Sequence, residues 1–337
     1  MKSTSEYFKE LFQDDSYDNL DKLSMIYKTK KGLSVILAVS KLNNQRMVYF
    51  CSNESDCRNM PHFYGLGIDC VSLNEFDSEK KYCEIKQEKG SEEYIFEVIV
   101  DDILKNINEL NKESEISNAV SKVLFKWKKF FALKREIVMS SIAQQGLYGE
   151  LLTLKLLVEN FGQTVINDWT GPNNETHDFY YNGNGIEVKT THLKEPYQIH
   201  INSEYQLDDT EIKRNLFLKF YAFRKSESES DGTSLPELVD SVRNLFNNNI
   251  FLKNKFEQSL EQYGYFEAVR YLYTDKYFVR ESLNFWVRDD FPRIVKKELQ
   301  IGLSGCMYDV SISNCGQYQI TDDTFLKALK TGIVTDE

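Results

Sequence analysis

The chain has 337 residues, 41% of them apolar, and its 41 basic and 52 acidic residues give a net charge of −11. This length favours two domains or one elaborated domain, and the apolar content, with 22 Phe and 20 Tyr, excludes global disorder. The acidic balance argues against a protein that coats nucleic acid indiscriminately, although it leaves room for a local basic groove.

The N-terminal part of the chain is predicted to be rich in β-structure. We expect a short acidic helix near Thr4–Phe12, followed by strands dense in β-branched and aromatic residues, among them Leu33–Val39, Arg46–Cys51 and Tyr94–Val100. These elements predict an N-terminal β-rich domain over residues 1–104. Target recognition, partner docking and a purely structural role all remain open for it.

Several features limit the cellular setting and the cofactors. There is no apolar run of about 18 residues, and the N-terminus has no signal-peptide core. Six cysteines without Cys-x-x-Cys spacing, accompanied by four His, argue against a zinc site and favour free thiols. There is also no glycine-rich phosphate loop of the Walker type. We therefore expect a cytoplasmic protein that does not bind a membrane.

A helical connector is predicted over residues 105–138, and it carries a basic run from Lys122 to Arg135. Its apolar positions follow helical spacing, and three lysines form a neighbouring stripe: Lys122, Lys126 and Lys129. Contact with nucleic-acid phosphates is one interpretation of this stripe. A solvated helix face is the other, because charge runs commonly have no further role.

The next helix is predicted from Ser141, as N-cap, to Gly162, where the glycine ends it. Its apolar stripe is formed by Leu147, Leu151, Leu154 and Val158. Glu150 lies within this stripe at about 100° per residue, so its carboxylate is expected to point inward and to need a partner. The alternative is a glutamate at the rim of the stripe whose carboxylate reaches solvent.

Residues 176–191 predict a β-hairpin that presents two carboxylates and one amine on one face. The segment Asn182–Gly185 supplies the turn, and a symmetric four-residue turn would set Asp178 opposite Lys189 and Tyr180 opposite Glu187. Because side chains alternate along a strand, Asp178, Glu187 and Lys189 would share a face.

Two neighbouring carboxylates repel each other unless a cation lies between them. Mg²⁺ is the expected cation because it prefers oxygen ligands and is commonly held by one or two carboxylates together with substrate phosphate, and Mn²⁺ could substitute for it. Lys189 would orient or help to deprotonate the attacking water. These groups together indicate phosphodiester hydrolysis.

The remainder of residues 139–225 completes a predicted nuclease core. Gln198–Asn202 is expected to form a third strand, Ser203–Gln206 a capping box that opens a helix, and Asn215–Phe223 a fourth strand. Three residues at the end of the catalytic strand could contact nucleic acid: Thr190, Thr191 and His192. A C-terminal α+β extension is predicted over residues 226–337. One helix begins at the N-cap Ser234 and runs to Phe246, a second helix spans Phe251–Tyr263, and strands follow at roughly 265–320.

These motifs resemble the PD-(D/E)XK nuclease signature, with Asp178 followed by Glu187-Val-Lys189 and with His177 in place of the usual Pro. Further segments of the chain, in their order, resemble a bacterial family of PD-(D/E)XK motif proteins, and this match is sharpest from Gly146 to Leu207. That family is described from operons with methyltransferases and phage-defence genes. The resemblance implies an α/β, restriction-endonuclease-like core between the N-terminal β-rich domain and the C-terminal α+β extension.

The resemblance also implies roles for individual residues. Glu150 would join Asp178 and Glu187 in the metal site, the backbone carbonyl of Val188 would face the metal, and Gln206 would support the site. A helix-capping role explains Gln206 without any function in catalysis, and we favour it for this residue. The implied activity is a DNA endonuclease of restriction type that leaves a 5′-phosphate. Because duplex cleavage needs two sites, we expect a homodimer or a defence complex with a methyltransferase or other operon proteins. The alternatives are a noncatalytic DNA-binding or scaffolding subunit and an RNA nuclease.

Overall fold

The computed structural model describes residues 4–14, 22–63, 65–88, 91–133, 138–173, 175–226 and 231–334. The chain divides into two units, Met1–Ile137 with Glu267–Val269, and Val138–Phe266 with Arg270–Glu337. None of the helices in these described ranges combines the length and the apolar character that a membrane span requires.

The first unit is built around an antiparallel sheet with strand order β1-β2-β3-β5-β4. Its strands are β1 (Lys22–Lys28), β2 (Ser34–Ser40), β3 (Gln45–Cys51), β4 (Leu66–Leu73) and β5 (Asp77–Gln87). Its helices are α1 (Thr4–Gln13), α2 (Glu54–Arg58), α3 (Glu93–Ile107) and α4 (Ile116–Leu133). The predicted N-terminal helix and the first two predicted strands are therefore confirmed.

The strand predicted at Tyr94–Val100 is wrong, because this segment lies in α3. Its β-branched residues favour a strand locally, but strand propensity is a weak prior that tertiary packing overrides. The helix buries Phe96, Val100, Ile103 and Ile107, whose spacing matches one helical face. Glu97, which is also buried, is paired with Arg46 of β3 at 3.0 Å.

The second unit contains a mixed sheet with strand order β10-β11-β9-β7-β6, and β13 pairs with β11. Its strands are β6 (Phe179–Tyr181), β7 (Asn184–Thr191), β9 (Leu216–Lys225), β10 (Thr233–Ser234), β11 (Lys276–Val287) and β13 (Gln319–Ile320). Strands β7 and β9 are parallel, and the other neighbours are antiparallel. Three of the four strands predicted for the core thus join one sheet with strands of the C-terminal part, whereas the predicted third strand, at Gln198–Asn202, lies in a separate two-stranded sheet.

The two faces of this sheet are covered by different elements. Helix α5 (Ser141–Phe161) packs on one face, and a two-stranded sheet of β8 (Gln198–Ile201) and β12 (Tyr308–Ser311) shares a core with the other. The remaining helices of the described second unit are α6 (Leu235–Leu245), α7 (Ile250–Tyr263) and α8 (Asp322–Thr331). The sheet therefore lies between two layers, as expected for an α/β core.

Helix boundaries in the second unit follow their caps. The α5 helix is capped by Ser140, one residue before the predicted Ser141, and ends at Gly162, whose φ of 92° suits glycine. The capping box of Ser234 and Glu237 is confirmed at the start of α6. The helix predicted after Ser203 is wrong, because Glu204 and its successors form a turn instead.

Helix α5 approaches β7 closely at Gly149. A Cβ atom at this position would lie 2.3 Å from Cγ2 of Thr190 and 3.3 Å from Cγ1 of Val188. We expect Gly149→Ala to destabilise the protein by about 1–3 kcal/mol through overpacking, as measured by urea unfolding. Adding Thr190→Ser removes the clashing methyl group and should restore most of that stability. An additive loss in the double variant would contradict this packing.

Candidate functional site

The predicted hairpin is present, but its register differs from the predicted one by two residues. Strands β6 and β7 pair Phe179 with Ile186 and Tyr180 with Gly185. The turn consists of Asn182 (φ 48°) and Gly183 (φ 80°), the two positive φ angles of a type I′ turn. Continuing this register by one residue sets Asp178 opposite Glu187, and not opposite Lys189 as predicted.

The predicted placement of Glu187 and Lys189 on one face does not change, because a shift of two residues keeps the alternation. Lys189 Nζ lies 2.9 Å from Glu187 Oε1, so the two side chains share a face of β7. Val188 and Thr190 point to the opposite face, where they line the space above Gly149 of α5. Strand β7 therefore places its charged side chains on one face and the side chains that pack against α5 on the other.

Lys189 connects the hairpin to the turn after β8. Its Nζ donates to Gln206 Oε1 at 2.9 Å, and the same oxygen accepts from the backbone N–H of Asn202 at 2.8 Å. Gln206 thus bonds both to a nearby backbone N–H and to the charged cluster, which consists of Glu150, Asp178, Glu187 and Lys189. The capping interpretation of Gln206 is wrong, because residues 204–207 form a turn and not a helix. With Glu187 on one side and Gln206 on the other, the position of the amine is fixed by two acceptors.

The other two carboxylates are held by donors from different elements. Asp178 Oδ2 accepts a 2.7 Å hydrogen bond from the backbone N–H of Val188, which ties Asp178 across the hairpin. Glu150 is only 5% exposed, as its position in the apolar stripe predicted. Its Oε2 accepts from Trp169 Nε1 and its Oε1 from the Tyr263 hydroxyl, each at 2.7 Å.

Burial dominates the electrostatics of these three acids. It raises the pKa of Glu150 well above its usual value, with a further increase from the Asp178 charge and opposition from the hydrogen bonds of Trp169 and Tyr263. It also raises the pKa of Asp178 to about 6, against the hydrogen bond from Val188. The pKa of Glu187 rises to about 8, mainly through burial and despite Lys189. One amine cannot balance three buried acids, so the site favours an additional positive charge.

One atom of the cluster has an unsatisfied hydrogen-bonding capacity. Glu187 is 2% exposed, and its Oε2 is buried with no hydrogen-bond partner in the structure. A buried carboxylate oxygen without a partner is costly, and a cation would satisfy it. Within the described ranges, however, no group of three or more His, Cys, Asp or Glu side chains converges closely enough to hold a metal ion. Glu187 is turned toward Lys189, and both oxygens of Glu150 are engaged by protein donors.

The predicted nucleic-acid contacts after Lys189 differ in accessibility. Thr191 is buried, and its hydroxyl accepts from the backbone N–H of Leu193. Thr190 is half-buried, and its Oγ1 accepts from Gln145 Nε2 at 3.1 Å. His192 is exposed, with Nδ1 3.0 Å from Gln145 Oε1. Of these three residues, only His192 presents an exposed side chain.

The lysine stripe lies in the first unit, whereas the carboxylates lie in the second. Helix α4 is present, and Lys122, Lys126 and Lys129 are exposed on it beside the buried Val123 and Trp127. Lys126 pairs with Asp102 of α3 at 3.3 Å. Residues 134 and 135, the end of the predicted basic run, lie outside the described ranges.

The six cysteines are free, as predicted, and three of them are buried: Cys57, Cys83 and Cys315.

Two residues that contact the cluster were not predicted. Trp169 and Tyr263 donate to Glu150, yet Tyr263 is 113 positions away in sequence, so no local spacing connects them. Gly171 was not predicted either, although a Cβ there would lie 2.0 Å from Glu150 Oε2 and 3.3 Å from Asp178 Oδ1. The nearby Gly-Pro pair was the available signal, since glycine permits such a close backbone approach.

Comparison with known proteins gave one match. A family model described as "Putative PD-(D/E)XK family member, (DUF4420)" matches residues 4–313, which is most of the chain. No curated protein and no solved structure matched the chain.

Proposed function

The chain belongs to this PD-(D/E)XK family, and on that basis we propose that it is a metal-dependent DNA endonuclease that hydrolyses phosphodiester bonds. Family membership suggests a nuclease. The metal, the DNA substrate and a role in restriction or phage defence in the cytoplasm are our proposals. They rest on the side chains of the hairpin and on the resemblance described above.

The observation that carries the proposal is the charged face of the β6–β7 hairpin. Asp178 Oδ2 accepts a hydrogen bond from the backbone N–H of Val188, Lys189 Nζ is 2.9 Å from Glu187 Oε1, and Glu187 Oε2 is buried without a hydrogen-bond partner. The large majority of buried acceptors in folded proteins have a hydrogen-bond partner, so an unpartnered oxygen beside an ion pair calls for a further explanation. The arrangement therefore fits a site that is completed by a ligand.

The residues present suit a hard divalent cation. Asp178 and Glu187, with Glu150 and the backbone carbonyl of Val188, offer only oxygen ligands, which Mg²⁺ prefers and Mn²⁺ accepts. When bound, the cation would neutralise charge that develops on the scissile phosphate.

Lys189 would donate a hydrogen bond to the attacking water and stabilise the negative charge that develops on its oxygen, while Gln206 keeps the ammonium in place. The expected product carries a 5′-phosphate. Cutting both strands of a duplex requires two sites, so we propose a homodimer or a defence complex with a methyltransferase or other operon proteins.

Cleavage of plasmid DNA by the purified protein tests the proposal directly. We expect nicking or linearisation with Mg²⁺ or Mn²⁺, none with EDTA, and loss of cleavage in Asp178→Asn. The control is Asp309→Asn, an exposed aspartate of β12 that pairs with His200 and should leave cleavage intact. Methylated and unmodified plasmids in parallel would show whether modification protects the target.

Two other outcomes would redirect the assignment. A protein that binds DNA but cleaves nothing with either metal would favour the noncatalytic DNA-binding or scaffolding subunit, or a requirement for operon partners. Metal-dependent cleavage of RNA, with DNA left intact, would make the protein an RNA nuclease.

The lysine stripe of α4 is tested separately by replacing Lys122, Lys126 and Lys129. If these lysines contact phosphate, their replacement should weaken DNA binding without changing the metal dependence of cleavage.

Gly171→Ala should lower the rate of cleavage although residue 171 has no functional group. The new methyl group would occupy the space of Glu150 Oε2, so the carboxylate must leave its present position beside Asp178. We expect cleavage to fall by about 10–100-fold, the usual effect of misplacing groups around a metal site. Gly316→Ala is the matched control, because a Cβ there meets nothing within 4 Å. Full activity in Gly171→Ala would show that Glu150 is not needed in this position.

A further inference from the structure

The Glu150 carboxylate is held between two uncharged donors. Trp169 Nε1 and the Tyr263 hydroxyl each donate to a different oxygen at 2.7 Å. Trp169 is 2% exposed and Glu150 5% exposed, so solvent does not replace these bonds easily. Hydrogen bonds to an ionised carboxylate are roughly twice as strong as neutral ones. The two donors therefore fix the orientation of the carboxylate without neutralising its charge.

Both donors depend on helix α7. Tyr263 is its last residue, and Phe256, two turns earlier, packs against the Trp169 ring with 6.2 Å between ring centroids. Residues seven apart lie on the same side of a helix, so one face of α7 supports both hydrogen bonds. Phe256 is fully buried, which ties this face to the core of the second unit. The C-terminal extension thereby reaches the charged cluster.

The backbone of Gly171 limits the space beside the carboxylate. Gly171 approaches so closely that an added Cβ would lie 2.0 Å from Glu150 Oε2, and the same point is 3.3 Å from Asp178 Oδ1. Glu150 therefore occupies a narrow slot with Asp178 beside it. Rotation of the carboxylate out of this slot would break at least one of the two hydrogen bonds.

We propose that Trp169 and Tyr263 are positioning residues that hold the Glu150 carboxylate in the orientation in which it shares a divalent cation with Asp178. This inference rests on the proposed metal site, but not on the identity of the nucleic acid. Groups that orient metal-binding side chains commonly change metal affinity by about 10–100-fold when removed. Because Tyr263 lies in the C-terminal extension and donates to Glu150, that extension becomes part of the cation site.

Mn²⁺ binding by the full chain is the test, measured by isothermal titration calorimetry and by electron paramagnetic resonance of bound Mn²⁺. Tyr263→Phe and Trp169→Phe each remove one donor while keeping an aromatic ring, and we expect each to weaken Mn²⁺ binding by about 10–100-fold. The control is Tyr221→Phe, a buried tyrosine whose hydroxyl bonds to Thr153 at 3.2 Å. It should bind Mn²⁺ like the unaltered protein. Thermal unfolding in EDTA measures any general loss of stability.

A double-mutant cycle separates positioning from general support of the fold. In a Glu150→Gln background, Tyr263→Phe should change Mn²⁺ affinity by less than about twofold, because its effect passes through Glu150. Equal losses in both backgrounds would overturn the inference. So would unchanged Mn²⁺ affinity in Tyr263→Phe and Trp169→Phe. An unaltered protein that binds no Mn²⁺ would instead overturn the proposed metal site, and this inference with it.

Discussion

Lys189→Met is expected to lower the rate of DNA cleavage by about 10²–10³-fold, the range for loss of one donor that stabilises charge developing in the transition state. The amine is placed for this task by Glu187 Oε1 and Gln206 Oε1, both at 2.9 Å. Methionine keeps the length of the side chain and removes the charge. The loss should appear in kcat more than in KM, because Lys189 would act on the attacking water and not on DNA binding.

The Mn²⁺ affinity of Lys189→Met should not fall together with its rate of cleavage. Lys189 and a divalent cation compete for the negative charge of Glu187, so Mn²⁺ affinity in Lys189→Met should stay the same or increase. Lys155→Met is the matched control, since Lys155 is a half-buried lysine of α5 that donates to Ser241 Oγ at 3.0 Å. It should cleave normally. If Lys189→Met cleaved at the rate of this control, Lys189 would have no role in the chemistry.

The hairpin was predictable because its signals are local. An Asn-Gly turn between two runs of aromatic and β-branched residues indicates a hairpin, and alternation then assigns Glu187 and Lys189 to one face. The register was not predictable, because Asn182, Gly183, Asn184 and Gly185 can supply either a four-residue or a two-residue turn. The structure uses the shorter turn, and Asn184 and Gly185 enter β7.

The inward position of Glu150 was predictable from helical periodicity, whereas its partners were not. The donors come from Trp169 and from Tyr263 at the end of α7, and their approach depends on packing between distant segments. The α3 helix illustrates the same limit in the first unit. Its β-branched run predicts a strand, but burial of residues at helical spacing, extending to Ile107, determines the outcome.

Replacement of Glu187 by Gln should remove a pH-dependent loss of stability from the metal-free protein. Burial raises the pKa of Glu187 from 4.5 to about 8 in the folded state. The folded protein thus holds this proton more tightly than the unfolded chain. Its stability falls as pH rises from about 4.5 to about 8, and the penalty stays constant above that range. The stability of Glu187→Gln relative to the unaltered protein should therefore increase over this window, by on the order of a few kcal/mol.

Divalent metal should reverse this effect only when Glu187 is present. Mg²⁺ favours the ionised carboxylate, so it should raise the free energy of unfolding of the unaltered protein most at about pH 8 and above, and have little effect on Glu187→Gln. Urea unfolding from about pH 5 to pH 9, with EDTA or with Mg²⁺, measures the pH dependence of stability and its reversal by the metal. Both measurements include the contribution of Asp178. Glu159→Gln, at an exposed position of α5, is the control. A stability difference that stayed flat across this range would mean that folding does not perturb the Glu187 carboxyl, and would remove the electrostatic reason for a cation beside it.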